Sequence, residues 1–255
     1  MKNLYSSIAH IFRSLRVTDS AAVLYIKDSL GNYGKIVAAD VGAGAGRYAK
    51  LLFDHIGHEK LFLSCFDTNE FMLKSLTDYL EDNNYTNFIT KIATAEEMPI
   101  DDGELDCIFS FNSIHHFNFY KFFNEAIRTL KDGGKIFIYS RTRKQNEESI
   151  WGKYFPLFRK KESRLYEPDE FEFKLGTVPG LELVETKIFS FDRDNTIKEL
   201  VDRASSRHYS AFFLYELDEF EYALKKFETN LKENYSDPES IKWLDEKILY
   251  IIKKS

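Results

Sequence analysis

Three groups of residues in this chain have the types and spacing to do chemistry. The first is Asp40 followed by Gly42, Gly44 and Gly46. It sits between an apolar run starting at Ile36 and the segment YAKLLFDHI, where Tyr48, Leu51, Leu52 and Ile56 recur at helical spacing. A strand that feeds a helix through a glycine turn gathers unpaired backbone N–H groups and the positive end of a helix dipole at one point. Glycine tolerates unusual φ and ψ there and lets a ligand come close to the backbone. The second group is His115-His116, just beyond the apolar run Leu105 to Phe111, where an imidazole could take a proton. The third runs from Arg141 to Arg164: eight basic residues face three acids, with Trp151, Tyr154, Phe155 and Phe158 interleaved.

The glycine spacing discriminates between ligands. A dinucleotide fingerprint, G-x-G-x-x-G, needs its third glycine where this chain has Arg47, so that fingerprint fails. The pattern present, D-x-G-x-G-x-G from Asp40 to Gly46, resembles motif I of the class I S-adenosylmethionine-dependent methyltransferases. Later segments extend the resemblance in order. LFLSCF, residues 61–66, reads as a buried strand that stops at Asp67, about 20 residues past the glycines, where a carboxylate can accept from both hydroxyls of a ribose. Asp67 could also cap the helix expected over residues 69–81, a role compatible with ribose binding. FDTNEFM resembles motif II, which places an apolar residue near Phe71 or Met72 against the adenine.

Residues 93–117 resemble the family segment D-A-E-x-L-P-F-x-D-x-S-F-D-x-V, with Ala95, Glu96, Met98, Pro99, Ile100, Asp102, Leu105 and Asp106 in place. Thr94 stands where relatives carry the Asp that holds the adenine amino group. A hydroxyl keeps one acceptor there and loses the charge-assisted bond. LKDGGKIFIYS resembles the turn L-x-P-G-G-x-L, with Asp132 in the proline position. The resemblance, ordered over about residues 35–140, implies a donor site made of Asp40, Gly42, Gly44, Gly46, Arg47, Asp67, Thr68, Met72, Thr94, Ala95, Glu96 and Phe111. It also puts the transferred methyl at the end of the fourth strand. His115 and His116 are then candidate bases, with substrate contact or helix-start packing as the alternative. The basic stretch reads either as a solvated helical cap with an apolar underside or as an acceptor wall. In the second case Arg141, Arg143 and Arg164 would pair an anionic acceptor beside Trp151 and Tyr154.

The elements that must position these groups alternate strand and helix without an internal repeat, which predicts a parallel sheet with right-handed crossovers and ligands at the carboxyl ends of the strands. The expected fold is α/β: a Rossmann-like, seven-stranded, mostly parallel sheet with helices on both faces and helical lid insertions. Leu4, Ile8, Ile11, Phe12 and Leu15 form an amphipathic stripe, and a second helix is expected from the Thr18-Asp19-Ser20 cap to Leu30. Residues 1–34 would thus pad the sheet or cover the donor, with Tyr5 and Tyr25 relevant in the second case. Residues 35–255 would form the methyltransferase domain, with insertions at about 141–175 and 194–236. The last strand, Ile248 to Ile252, would close the sheet as an antiparallel edge.

Composition bounds the reading. The 255 residues carry a net charge of −6, which argues against a general nucleic-acid-binding surface. Cys65 and Cys107 each lie in an apolar run, so neither a disulfide framework nor a metal spacing is available. No metal is expected. No apolar run reaches the ~18 residues of a membrane span, and a cytoplasmic setting follows by default. The segment after the fourth strand, Asn112-Ser113-Ile114-His115, lacks the N/D-P-P-Y/F motif of amino methylation, and no Pro-Cys nucleophile for cytosine is present. The resulting expectation is methyl transfer from S-adenosylmethionine to a small, anionic acceptor by direct displacement. An RNA or tRNA methyltransferase and a non-catalytic module that binds the donor or S-adenosylhomocysteine are the alternatives. The oligomeric state is not written in these patterns.

Overall fold

Near-continuous apolar runs become buried parallel strands, and amphipathic segments become the helices that link them. The computed structural model describes residues 17–31 and 34–255. The stripe from Leu4 to Leu15, and Tyr5 within it, lie outside the described residues. The helix expected after Ser20 is α1 (Ala21–Leu30), which buries Ala22, Val23, Ile26 and Leu30. Then come β1 (Ile36–Val41), α2 (Arg47–Ile56), β2 (Leu61–Asp67), α3 (Glu70–Asp82), β3 (Phe88–Ile92), β4 (Leu105–Phe111), α4 (Phe119–Thr129) and β5 (Leu130–Ser140). The chain continues through α5 (Arg143–Glu148), α6 (Ile150–Tyr154), α7 (Phe158–Lys161), α8 (Pro168–Gly176), β6 (Leu181–Asn195), α9 (Ile197–Ser205), α10 (Leu217–Asn234) and β7 (Ile241–Lys254).

The sheet has seven strands in the order β3-β2-β1-β4-β5-β7-β6. β1 pairs in parallel with β2 and β4, β2 with β3, and β4 with β5, whereas β7 runs antiparallel to β5. The expected mostly parallel, seven-stranded sheet is therefore present. One detail differs: β7 pairs inside the sheet and β6 takes the edge, where the sequence suggested a terminal edge strand. β7 also runs from Ile241 to Lys254, well beyond the apolar run Ile248–Ile252, because backbone pairing continues where the hydrophobic signal stops.

Strand order reverses at β1 and β4. With right-handed crossovers, α2 and α3 cover one face of the sheet and α4 the other, and a crevice opens at the carboxyl ends of β1 and β4. α2 shows how sequence places these helices: Tyr48, Ala49, Leu52, Phe53 and Ile56 form its buried stripe. Each fully buried Phe or Leu of this kind contributes about 1.5–3 kcal/mol relative to exposure.

The chain divides into two compact units. The first takes the chain up to Ser140 with Asp169–Lys187 and Ile248–Ser255, and the second takes Arg141–Pro168 and Ile188–Lys247. The expected insertions at about 141–175 and 194–236 overlap the second unit, and α1 belongs to the first. The second unit has its own aromatic core, in which Trp151, Phe155, Phe158, Phe212 and Phe227 are all buried. Capping boxes of a threonine with a residue three places on start α5, Thr142 with Gln145, and α9, Thr196 with Glu199.

Candidate donor and acceptor sites

The glycine turn between β1 and α2 uses left-handed backbone at all three glycines, with φ of 73° at Gly42, 53° at Gly44 and 81° at Gly46. Each glycine meets a different neighbour. A Cβ on Gly42 would lie 2.5 Å from Ser113 Cβ, and one on Gly46 would lie 2.8 Å from Leu76 Cγ in α3. At Gly44 nothing lies within 4 Å. Gly42 and Gly46 therefore serve packing, while Gly44 leaves open backbone that a ligand can approach.

Hydrogen bonds fix the turn to its neighbours. Gly42 and Ala43 N–H donate to the Phe66 carbonyl at 2.8 and 3.0 Å. Gly44 N–H donates to Asp67 Oδ2 at 2.9 Å, and Asn69 N–H donates to Asp67 Oδ1 at 2.9 Å. The cap of α3 is Asn69, whose side chain accepts from Phe71 and Met72 N–H, so Asp67 does not cap that helix. Ser113, which the sequence did not single out, donates to the Val41 carbonyl at 2.9 Å and pairs with Ser110 Oγ at 2.8 Å. This ties the end of β1 to the end of β4. Its only sequence signal is a pair of serines three apart at the strand end.

Asp40 is buried at 1% exposure, and its Oδ1 has no hydrogen-bond partner. Burial, and then the charge of Asp67, push its carboxyl up to about 8. Burial also raises Asp67, although N–H donors from Asn69, Gly44 and Thr68 oppose it. A buried carboxylate with an unsatisfied oxygen costs free energy unless a cation or donor completes it. Asp40 lies at the end of the strand that leads into the turn, four residues before the open Gly44.

The other expected donor contacts cluster in the same unit. Met72 is buried on α3, and Ala95 is buried in a turn closed by the bridge between Thr94 and Glu97. Glu96 accepts from Asn118 N–H at 2.6 Å, holding that turn against the start of α4. Phe111 stacks on Tyr48 with ring centroids 4.2 Å apart and planes within 1°. The Arg47 guanidinium donates to Thr18 Oγ1 at 2.7 Å, so its side chain anchors the segment before α1. His115 and His116 form one 3₁₀ turn, Ile114–His116, with rings 4.2 Å apart; His115 is half-buried and His116 exposed.

In the second unit the five expected acceptor residues are not alike. Arg143 donates to the Leu165 carbonyl at 2.8 Å, and Arg164 donates to Glu162 Oε1 at 2.8 Å. Tyr154 is half-buried, edge-on to Tyr235 at 5.6 Å. Trp151 lies in the aromatic core at 1% exposure, 4.8 Å from the His208 ring. Arg141, also buried, pairs with buried Asp245, 104 residues away, a partner that no local pattern announces. Burial would raise Asp245, but Arg141, Lys247 and Arg193 outweigh it and hold the carboxyl at about 2.

Residues 39–138 match the family model described as a methyltransferase domain. A curated protein of Dictyostelium discoideum, provisionally named a methyltransferase, is 25% identical over 227 residues, covering 82% of this chain and 78% of its own length. A solved structure from Anabaena variabilis, provisionally named a methyltransferase from an antibiotic biosynthesis pathway, superposes with a TM-score of 0.66 at 21% identity. That match covers 92% of this chain and 98% of the other. Geranyl diphosphate C-methyltransferase from Streptomyces coelicolor A3(2), solved with Mg²⁺, geranyl-S-thiolodiphosphate and S-adenosyl-L-homocysteine, superposes with a TM-score of 0.58 at 14% identity, covering 92% and 76%. These structural likenesses establish the shared fold. No helix among the described residues is long and apolar enough to cross a membrane. The reversed strand order, the glycine turn and the family match coincide on one stretch, residues 39–138, which is similar to the methyltransferase domain family.

Proposed function

We propose that this chain transfers a methyl group from S-adenosylmethionine to a small, anionic acceptor by direct displacement. The observation that carries the reading is the buried Asp40 Oδ1, without a partner, at the foot of a glycine turn whose middle glycine is open. A carboxylate in that position suits the cationic amino-acid end of the donor, while Asp67 and the Thr94–Glu96 turn suit its ribose and adenine. Arg47 joins this set through its backbone N–H, since its side chain is committed to Thr18, and Thr68 through its side-chain hydroxyl, since its backbone N–H serves Asp67. When bound, S-adenosylmethionine supplies a methyl already activated by its sulfonium, so the protein's task is to orient the acceptor and exclude water. Phe111, stacked on Tyr48 at the end of β4, contributes an apolar wall to that end. His115 and His116 follow β4 and contact the acceptor.

Calorimetric titration with S-adenosylmethionine tests the donor site, with NAD as the control. S-adenosylhomocysteine release from a panel of small acids and their neutral amides tests the acceptor class. Donor binding without turnover on any acid would favour the non-catalytic alternative, and turnover on RNA alone would favour a nucleic-acid acceptor.

A further inference from the structure

β6 forms one edge of the sheet, next to β7, and among the described residues no strand pairs with its outer side. Its length is unusual for that position: Leu181–Asn195 has 15 residues, whereas β3 at the opposite edge has 5. An edge strand presents a row of backbone N–H and C=O groups that another strand can pair with, and folded proteins blunt it by shortness, proline, bulges or charge. β6 is long and contains neither proline nor a left-handed residue. Its charges are few and follow a pattern that one partner fits.

Side chains alternate along β6. Val184, Thr186 and Ile188 share an exposed face, where Val184 and Ile188 leave 52% and 55% of their surface to solvent. Glu185 and Lys187 lie on the other face beside Tyr25. The Tyr25 hydroxyl donates to the Glu185 carboxylate, and its ring centre lies 5.4 Å from Lys187 Nζ. Tyr25 carries no charge, so it balances neither.

Two antiparallel copies of a strand related by a two-fold axis place residues equidistant from the axis opposite one another. With the axis at Thr186, Glu185 faces the partner's Lys187 and Val184 faces the partner's Ile188. Leu183 then faces the partner's Phe189, and Leu181 the partner's Phe191. Each pair occurs twice, and opposite-charge, β-branched and aromatic pairs of this kind stabilise a sheet. Moving the axis to Glu185 sets that carboxylate against the partner's Glu185, and moving it to Lys187 sets two ammonium groups face to face. Like charges directly opposite are destabilising, so the register is specified.

We propose that β6 pairs antiparallel with β6 of a second copy of this chain, centred on Thr186, in a closed two-fold interface. The pairing lies along this one strand and is independent of the donor and acceptor readings.

Sedimentation velocity on the full chain tests it, and the wild type should sediment as a dimer at micromolar concentration. Glu185→Lys opposes two lysines across the axis and Lys187→Glu opposes two glutamates, so each alone should raise the dimer dissociation constant roughly tenfold or more. Mixed in equal amounts, the two variants regain both opposite-charge pairs and should form a one-to-one heterodimer, a repair that mixing two misfolded chains would not give. If Glu185→Lys fails to fold because Tyr25 loses its acceptor, Val184→Lys decides, since it sets a charge against the partner's Ile188 from an exposed position and should dissociate the dimer. A monomeric wild type overturns the proposal and leaves the edge to a strand of another protein. A dimer that keeps wild-type affinity in Lys187→Glu or Val184→Lys overturns it too, as does a mixture of folded charge variants that stays monomeric.

Discussion

The backbone N–H of Gly44 donates to Asp67 Oδ2 at 2.9 Å, so the tip of β2 holds the middle of the glycine turn that follows β1. Both groups are expected at the donor: the glycine as open backbone and the carboxylate as acceptor for the ribose. The bond sets the spacing between them before any ligand arrives, which is preorganisation in its simplest form.

Asp67→Ala should therefore weaken S-adenosylmethionine binding by roughly 1.5–3 kcal/mol, the range for hydrogen bonds to a charged group. It should also lower thermal stability, since the Gly44 and Asn69 N–H groups both lose their acceptor. Calorimetry and a melting curve measure the two effects separately. Wild-type donor affinity in the variant would remove Asp67 from the site.

Asp40 predicts a pH dependence with a definite sign. Its carboxyl is raised from 3.8 to about 8 by burial and then by Asp67, so between those values the folded protein holds a proton that the unfolded chain has released. Its contribution to stability is fully present below about 4 and is lost as pH rises through about 8. Asp40→Asn should make the ligand-free protein less sensitive to pH across that window and more stable at pH 8. The same change should weaken donor binding, because an amide cannot balance a cationic amino group. Denaturant melts of both proteins at pH 5 and 8 check the first claim, and titration with the donor checks the second.

The glycines separate packing from binding. Gly42→Ala forces a methyl to within 2.5 Å of Ser113 Cβ at a φ of 73°, and should destabilise the fold by more than the roughly 1–2 kcal/mol of left-handed strain alone. Gly44→Ala meets no neighbour, so its cost should stay near that strain while donor affinity falls sharply. Urea melts and donor titrations on the pair should give opposite rankings.

His115→Gln and His116→Gln should each lower turnover less than fivefold and raise the KM for the acceptor, as residues that touch substrate without taking its proton. A general base would instead cost about 10²-fold or more, with a flattened pH profile near neutrality. Steady-state kinetics from pH 6 to 9 separates the two.

What the sequence by itself determined lies close together along the chain. The glycine triplet, Asp67 and the run from Thr94 to Phe111 are local patterns, because a strand-to-helix turn needs neighbouring residues of particular size and dihedral freedom. The alternation of apolar runs and amphipathic segments likewise specified a mostly parallel sheet, since period and burial are local properties. The tertiary structure alone decided matters of distant pairing. Only folding shows Ser113 against Gly42, Asn69 rather than Asp67 at the helix cap, and β6 rather than β7 at the sheet edge. Arg141 makes the contrast sharpest: in sequence it is one of eight basic residues in a charged stretch. Its burial against Asp245 turns on a partner 104 residues away, and long-range pairing of that kind leaves no periodicity to read.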